Sequence, residues 1–548
     1  MISAIILLRS DSSRLPQKHL YTIGHKKIIN IIIEKLNNIS SIKEIILATG
    51  TAKDNLIYQK NIKINKKIKF YYHKNNWNVT ERINNVLKKS KHEFALVISG
   101  DCIVIDKEFI NYKVRILKKN PDKDFLHFSN HNIGYEGINL FRKLAWKKVF
   151  YMSKKKKYLE HAGLIVKEKR NLFKIKTIRA PKLFCLKKKI RLSIDTHSDL
   201  EFFRILLSKL KKYENINLKN IKKFNKYSKI NNHVIQRKVN RKYNKKITFV
   251  SHASRKYGLG HLRRIQTLIR DFSETFTSNI ELIILGKINF TLRNKITHFR
   301  NCKISFNSNN IENRFLIIDL PKDILKSNLY LIKKNRKIAL IDNNEFQSEK
   351  IINIMPSFLK AKKKSTKTKI FSGKKFLIIN RDINYYNMLN FSQINQTLIL
   401  SGGSLFPPQE IFNIVKNHER HKFVLVLGPF FKKVPKAFNT YRNLKILFNP
   451  DNYFELIKQS KYIICRYGVS VYEVLALKKK PFVWIFEEEE SRIKEIKILN
   501  KKNLFHLTED YHYKKSGNKI EIIEPGAIDA VKKINLFFEN GKKHHYYC

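Results

Sequence analysis

The sequence predicts an α/β protein made of two successive α/β units, and three observations carry that expectation. Short, continuous apolar runs such as "AIILL", "FALVIS" and "KFVLVL" alternate with amphipathic, helix-length segments such as "KKIINIIIEKLN". Apolar runs of strand length without polar alternation belong to strands covered on both faces, as parallel strands flanked by helices are. A polar, basic, weakly periodic stretch at 212–245 interrupts the series before it resumes. At 548 residues the chain also exceeds what one core ordinarily serves.

The formal charge is +67, from 111 Lys and Arg against 44 Asp and Glu. A nucleic-acid footprint would be clustered and richer in Arg. Here Lys is spread over the whole length beside abundant Asn and Ile, which reads as a compositional bias, so no nucleic-acid partner is expected. The five cysteines (Cys102, Cys185, Cys302, Cys465, Cys548) are far apart and form no CxxC pair. Neither a disulfide framework nor a zinc site is expected. No apolar run approaches 18 residues, so no membrane span is expected. The N-terminal apolar run lacks the basic flank and cleavage site of a signal peptide. A cytoplasmic protein is the resulting expectation.

In order, the first unit (1–211) reads as strand "SAIILL", helix "KKIINIIIEKLN", strands "EIILAT" and "KIKFYY", a helix at 79–89 and strand "FALVIS". It closes on "LSIDTHSDLEFFRILLSKL". The loop after the first strand carries Arg9, Ser12, Ser13, Arg14 and Lys18, with Pro16 stiffening it. Cations at a strand end suit a triphosphate. Taken alone, the loop reads more readily as one more basic loop of a lysine-rich chain. Asp101 in "VISGDC" and Asp195 in "RLSIDTHSDLE" each follow a strand-like run, where open α/β sheets bind ligands. Two such carboxylates can hold Mg²⁺ beside phosphates. The plainer account of each is a helix N-cap, above all for Asp195–Thr196.

These residues resemble a family. "AIILLRSDSSRLPQK" is similar to the ARxxSxRLPxK signature of sugar cytidylyltransferases acting on sialic-acid-like and spore-coat-type sugars. The likeness continues in order through "IIEKL", "ILATGT", "VTERINNVL", "ISGDCIVIDKEFI", "LEHAGLIV" and "RLSIDTHSDLEFF". It implies a nucleotide-diphospho-sugar-transferase-like, Rossmann-like domain. It further implies that Arg9, Ser13, Arg14 and Lys18 hold the CTP phosphates and that Asp101 and Asp195 hold Mg²⁺. Arg82 and the pair Glu160–His161 would line the sugar side. Where the family has glycine, this chain has Asp11–Ser12 and Gln17, which restrict a backbone that glycine would leave free to reach positive φ.

After a basic linker at 212–245, the second series begins with "KITFVSHASRKYGLGHLRRIQTLIRDF". Strands are expected at "ITFVSH", "IELIILG", "RFLIIDL" and "KIALIDN", and again at "QTLILSGGS", "KFVLVLGPFF", "KYIICRYG" and "PFVWIF". Two α/β halves, 246–395 and 396–548, suggest two lobes with a cleft. Gly258 and Gly260 precede a helix and could let backbone N–H groups approach an anion. His261 on the first turn could act as a base; a surface or packing histidine is the plainer account. Gly402, Gly403 and Ser404 form another strand–glycine–helix turn. Gly468 and Ser470 precede a helix that carries Glu473, a carboxylate able to accept from ribose hydroxyls.

The order of these motifs resembles the UDP-sugar hydrolases of pseudaminic acid biosynthesis, within the two-lobed glycosyltransferase-B-like group. By that resemblance His261 is catalytic, and Gly258, Gly260, Gly402, Gly403, Ser404, Gly468, Ser470 and Glu473 bind UDP-sugar. Arg466–Tyr467 and the "EEEE" run at 487–490 depart from its pattern. The two resemblances together imply a bifunctional nucleotide-sugar enzyme. Its expected partners are CTP, a nonulosonic-acid-like or related sugar acceptor, a UDP-sugar and, as an open option, a second copy of the chain. A cytidylyltransferase fused to a glycosyltransferase, and a non-catalytic nucleotide-binding scaffold with a basic surface, are the alternatives.

Overall fold

The computed structural model describes residues 1–10, 12, 15, 17–62, 65–129, 138–186, 192–223, 246–275, 279–288, 302–307, 311–312, 314–359, 368–403, 406–431, 434, 438, 440–450, 452–485, 493–508 and 523–539. The chain divides into two compact units, Met1–Gln236 and Arg237–Cys548. Among the described residues no helix is long and apolar enough to cross a membrane.

In the first unit, β1 (Ile2–Leu7) is followed by a small antiparallel hairpin, β2 (Thr22–Ile23) and β3 (Lys26–Lys27). Then come β4 (Ile42–Thr49), β5 (Ile68–Tyr72) and β6 (Phe94–Ser99). β7 (Phe125–Phe128), β8 (Ile138–Arg142) and β9 (Ile175–Ile178) complete the set. The main sheet is ordered β5-β4-β1-β6-β8-β7-β9. β1 is parallel to β4 and β6, and Ile2, Ala4, Ile5 and Ile6 are all wholly buried. Helices cover both faces, which is why the strand shows no polar alternation. β8 runs antiparallel to β6 and β7, a reversal that the continuous apolar runs did not signal. β8 pairs with β6 through all five residues and β7 with β9 through all four. Between β7 and β8 the ladder is a single pair, Phe125–Phe141.

Residues 212–223, expected to begin the linker, instead fold onto the first unit. A 3₁₀ turn, Tyr213–Asn215, and a short helix, Leu218–Lys223, bury Ile216, Leu218 and Ile221. Tyr213 donates to the Ile23 carbonyl at 2.9 Å, and the buried Lys35 ammonium donates to the Ile216 carbonyl at 2.6 Å. Apolar spacing at 216, 218 and 221 was masked by the surrounding lysines. The rest of the expected linker, 224–245, lies outside the described residues.

The second unit holds two wholly parallel sheets. The first comprises β10 (Lys246–His252), β11 (Asn279–Leu285), β12 (Cys302–Phe306), β13 (Phe315–Asp319), β14 (Lys337–Ile341), β15 (Ile351–Met355) and β16 (Lys369–Ser372). Its order is β12-β11-β10-β13-β14-β15-β16. The second comprises β17 (Ile394–Leu400), β18 (Lys422–Leu427), β19 (Leu444–Phe448), β20 (Ser460–Arg466), β21 (Phe482–Trp484) and β22 (His506–Leu507), ordered β19-β18-β17-β20-β21-β22. The last helix, Ala527–Phe538, departs from the expected division at 395/396. Its Ala530, Val531, Ile534 and Phe538 are buried in the core of the first sheet with Ile247, Phe249 and Ile269. Its apolar stripe needs a partner, and the helix Gly260–Thr275 supplies part of it.

Candidate active sites

In the first unit the strand-end loop closes on itself, the Gln17 N–H donating to the Ser10 carbonyl at 2.9 Å. Gln17 adopts φ 51°, ψ 32°, the left-handed conformation that glycine takes without cost. The 3₁₀ turn Lys18–Leu20 then carries Lys18 inward, where it is 5% exposed. Gly100 meets this loop from β6, its N–H donating to the Leu7 carbonyl at 3.0 Å. A Cβ there would lie 2.5 Å from Leu8 Cδ2 and 2.8 Å from the Leu7 oxygen, so the close approach requires glycine.

Lys18, Asp101 and Asp195 come together. The Lys18 ammonium donates to an Asp101 carboxylate oxygen and, at 2.9 Å, to Asp195. The Ile194 N–H donates to the Asp101 carbonyl at 3.0 Å, fastening the two carboxylate-bearing segments to each other. Burial disfavours all of these charges, but the pairing outweighs it: Lys18 is held above the usual lysine value and Asp101 below the usual carboxylate value. Ser193 donates to Asp195 at 3.0 Å.

The plain helix-cap account of each Asp fails on geometry. Thr196 caps the helix His197–Leu210 in a reciprocal box with Asp199, and Asp106 caps Lys107–Lys119 through the N–H groups of Glu108 and Phe109. Asp101 and Asp195 both face the Lys18 cation. Two hard carboxylates converging on one positive centre are a donor set that suits a divalent ion retaining several waters.

The remaining first-unit candidates are more dispersed. Arg9 is exposed, and its carbonyl accepts from Tyr58 at 3.0 Å. Ser12 is buried, whereas Asp11, Ser13 and Arg14 lie outside the described residues. Arg82 is only 2% exposed and donates to the Leu8 carbonyl at 3.1 Å, so its charge serves the end of β1 from beneath. Glu160 and His161 are exposed at the end of the helix Lys156–Glu160. The sequence reading missed His19 and Tyr58. His19 Nδ1 lies 2.8 Å from the Tyr58 hydroxyl, whose own proton goes to Arg9. His19 therefore donates through Nδ1. Burial, with Lys18 alongside, pushes its pKa down to about 3.

In the second unit His261 stands on the first turn of Gly260–Thr275, with Nδ1 2.6 Å from Asp319 at the end of β13. Asp319 is wholly buried and also accepts two bonds from Arg264, each at 2.7 Å. Arg264 reaches Asp342, just past β14, at 2.9 Å. Burial would raise the Asp319 pKa, but Arg264 and His261 hold it below the usual value. A carboxylate accepts only, so Nδ1 of His261 donates to Asp319. Asp319 and Asp342 sit in the "IIDL" and "LIDN" segments at strand ends, the same signal that singled out Asp101 and Asp195.

The glycines of this unit divide into two kinds. Gly403 packs against the loop before His261: a Cβ there would meet the Leu259 nitrogen at 2.8 Å. Gly428 in turn packs on Gly402 and Gly403. Gly260, Gly402 and Gly468 have open space where a Cβ would stand, with Gly402 at φ 75° and Gly468 at φ 148°. Gly258, at φ 72°, donates to the Ser254 carbonyl at 2.8 Å. Ser470 is half-buried, and Ser404 and the run 487–490 lie outside the described residues. Glu473 is buried and accepts from Tyr453 at 3.2 Å; burial raises its pKa against the opposing pull of Arg263 and Tyr453.

Residues 3–238 match the family model described as cytidylyltransferase. The uncharacterized protein MJ1063 of Methanocaldococcus jannaschii is 29% identical over 218 residues, covering 40% of this chain and 86% of that protein. The spore coat polysaccharide biosynthesis protein SpsF of Bacillus subtilis is 22% identical over 210 residues, covering 37% and 85%. A further uncharacterized protein of M. jannaschii, MJ1062, is 28% identical over 284 residues. That match covers 45% of this chain and 57% of the relative, so the chain spans little more than half of MJ1062.

Proposed function

We propose, from an N-terminal unit of the cytidylyltransferase family, that the chain transfers CMP from CTP to a sialic-acid-like or related sugar. The observation that carries this is the convergence of Lys18, Asp101 and Asp195 beside the loop that follows β1. A sugar hydroxyl oxygen bonds to the α-phosphorus of CTP as the bond to pyrophosphate breaks, and the hydroxyl proton passes to solvent. Asp101 and Asp195 would hold Mg²⁺, which when bound stabilises charge growing on the phosphate oxygens. Lys18 holds the two carboxylates in register and adds positive charge beside the phosphates. Arg9 contributes from the rim.

The second unit, in the same proposal, binds a UDP-sugar and hydrolyses it, both activities serving surface-glycan assembly. His261, oriented by Asp319, takes a proton from water at Nε2 while the water oxygen joins the sugar and UDP leaves. The test is a mass-spectrometric assay of the purified full chain with CTP, Mg²⁺ and a panel of free and UDP-linked sugars. Pyrophosphate with a CMP-sugar, and UDP with a free sugar, are the expected products. No pyrophosphate with any nonulosonic acid or amino sugar overturns the first half. UDP appearing only when an acceptor sugar is present replaces hydrolysis by glycosyl transfer.

A further inference from the structure

The two carboxylates beside the β1 loop already share a cation, and that cation belongs to the chain. The Lys18 ammonium donates to Asp101 Oδ2 and, at 2.9 Å, to Asp195 Oδ1. The other oxygen of each carboxylate has a partner of its own close by in sequence. Cys102 Sγ donates to Asp101 Oδ1 at 3.6 Å, and Ser193 donates to Asp195 Oδ2 at 3.0 Å. Lys18 therefore stands on the two oxygens that converge.

A divalent ion held by both carboxylates would need those same oxygens. Two carboxylates balance one divalent ion. With the ammonium still between them, the buried cluster would carry an uncompensated positive charge, and two cations would repel each other at contact distance with little water to screen them. Lys18 and a metal are alternative occupants of one position.

The movement this requires is small. The backbone on either side of Lys18 is pinned. The Gln17 N–H donates to the Ser10 carbonyl at 2.9 Å, and buried His19 is held by the Tyr58 hydroxyl at 2.8 Å. Asp101 and Asp195 stay together without the ammonium, since the Ile194 N–H donates to the Asp101 carbonyl at 3.0 Å. Only the flexible lysine stem has to turn. Leaving a buried ion pair is costly unless another anion receives the charge, and a triphosphate at the same strand end supplies one.

We propose that Lys18 is the resident counter-ion of this site: its ammonium fills the metal position in the free chain and passes to the nucleotide phosphates as the divalent ion enters. Each ligand then removes what opposes the other. Metal and CTP bind cooperatively, each raising the other's affinity by the same factor. The metal by itself meets an occupied site. The proposal rests on the cytidylyltransferase reading given above, and the experiment separates the two.

Mn²⁺ is the probe, its free concentration read by electron paramagnetic resonance on the full chain without nucleotide. Wild type should bind it weakly, and Lys18→Met and Lys18→Gln should bind it about tenfold tighter or more, within the usual range of coupling between sites. A lysine whose only role were to hold the carboxylates in register predicts the opposite, since its loss would disperse them. A second measurement keeps the native side chain. Acetylation of Lys18, followed by peptide mass spectrometry, should rise at saturating Mn²⁺ as the ammonium leaves the carboxylates.

Equal or weaker Mn²⁺ affinity in both variants overturns the proposal. So does Lys18 labelling that Mn²⁺ leaves unaltered, or no Mn²⁺ binding by any of the three proteins at millimolar concentration. Tighter Mn²⁺ binding in the variants, with no pyrophosphate released by wild type from CTP and any sugar, supports the counter-ion and removes the transfer reading. Pyrophosphate release by a wild type whose Mn²⁺ affinity equals that of the variants does the reverse.

Discussion

The ammonium of Lys18 lies 2.9 Å from the carboxylate of Asp195, 177 positions further along the chain. Asp101 meets the same ammonium, and all three groups are brought together by backbone bonds rather than by neighbouring sequence. Asp101→Asn removes one of the two charges proposed to hold Mg²⁺ and leaves buried Lys18 half-compensated. Pyrophosphate release should fall by more than about a hundredfold, and stability by about 1–3 kcal/mol. An initial-rate assay and urea denaturation check the two parts.

Lys18→Met should act on the pH profile as well as on the rate. The Lys18 charge is what holds Asp101 below the usual carboxylate value against the effect of burial. Without it the Asp101 pKa rises, so the acid limb of any residual activity should move to higher pH. An unmoved limb in the variant would show that Asp101 is not the group being titrated.

Asp195 and Asp199 should differ in their effect on activity. Asp195→Asn should abolish turnover and, by leaving buried Lys18 half-compensated, cost about 1–3 kcal/mol. Asp199→Ala breaks the capping box and should cost about 1 kcal/mol with most activity kept. Thermal melts set beside pyrophosphate assays make the comparison.

Gln17→Gly should leave stability unchanged or raise it by up to about 1 kcal/mol. The left-handed φ of 51° is relieved, while the greater freedom of glycine in the unfolded chain offsets part of the gain. Gln17→Val, β-branched at the same φ, should destabilise by about 1–2 kcal/mol. If valine is as stable as glycine in urea, the loop does not need this conformation.

His19 gives the first unit an acid sensitivity of definite sign. Its folded pKa, about 3, lies below the ordinary 6.5, so the unfolded chain binds a proton that the folded one refuses. The stability tied to this group is fully present above pH 6.5 and is lost progressively as pH falls toward 3. His19→Asn keeps a donor toward Tyr58 but does not titrate. Its denaturation midpoint should fall less between pH 7 and pH 5 than that of the wild type.

In the second unit, Asp319→Asn removes the carboxylate that both His261 and buried Arg264 depend on. A loss of about 3 kcal/mol is expected from the stranded guanidinium. UDP release should drop by about a hundredfold with UDP affinity nearly unchanged. Loss of affinity in place of rate would make the residue a binding scaffold.

β1, β4, β5 and β6 of the first unit and β10, β11, β13 and β14 of the second were legible as apolar runs, whereas the short hairpin β2–β3 and β12 were not. Lys18, Asp101 and Asp195 were singled out as charges following strand-like runs, and the structure brings the three together. β8 was not legible, since an antiparallel strand inside a buried sheet is written in the same apolar letters as a parallel one. Arg82 donates to the backbone carbonyls of Leu8 and Ala48, partners that no motif displays. Asp319 and Asp342 carried the same signal as Asp101 but were noticed only once Arg264 joined them. Gly403 reads as a phosphate-loop glycine, whereas its missing Cβ makes room for Leu259 of another loop.

The capping of His197–Leu210 by Thr196 and Asp199, one step past Asp195, has a hereditary consequence. The reciprocal cap of that helix is made by Thr196 and Asp199, one step away from the carboxylate proposed to hold the metal. A descendant that lost Asp195 would keep this capping box and with it much of its resemblance to working relatives. For this architecture, a silent copy and an active one would differ at a single carboxylate, and inheritance of the fold says nothing about inheritance of the reaction.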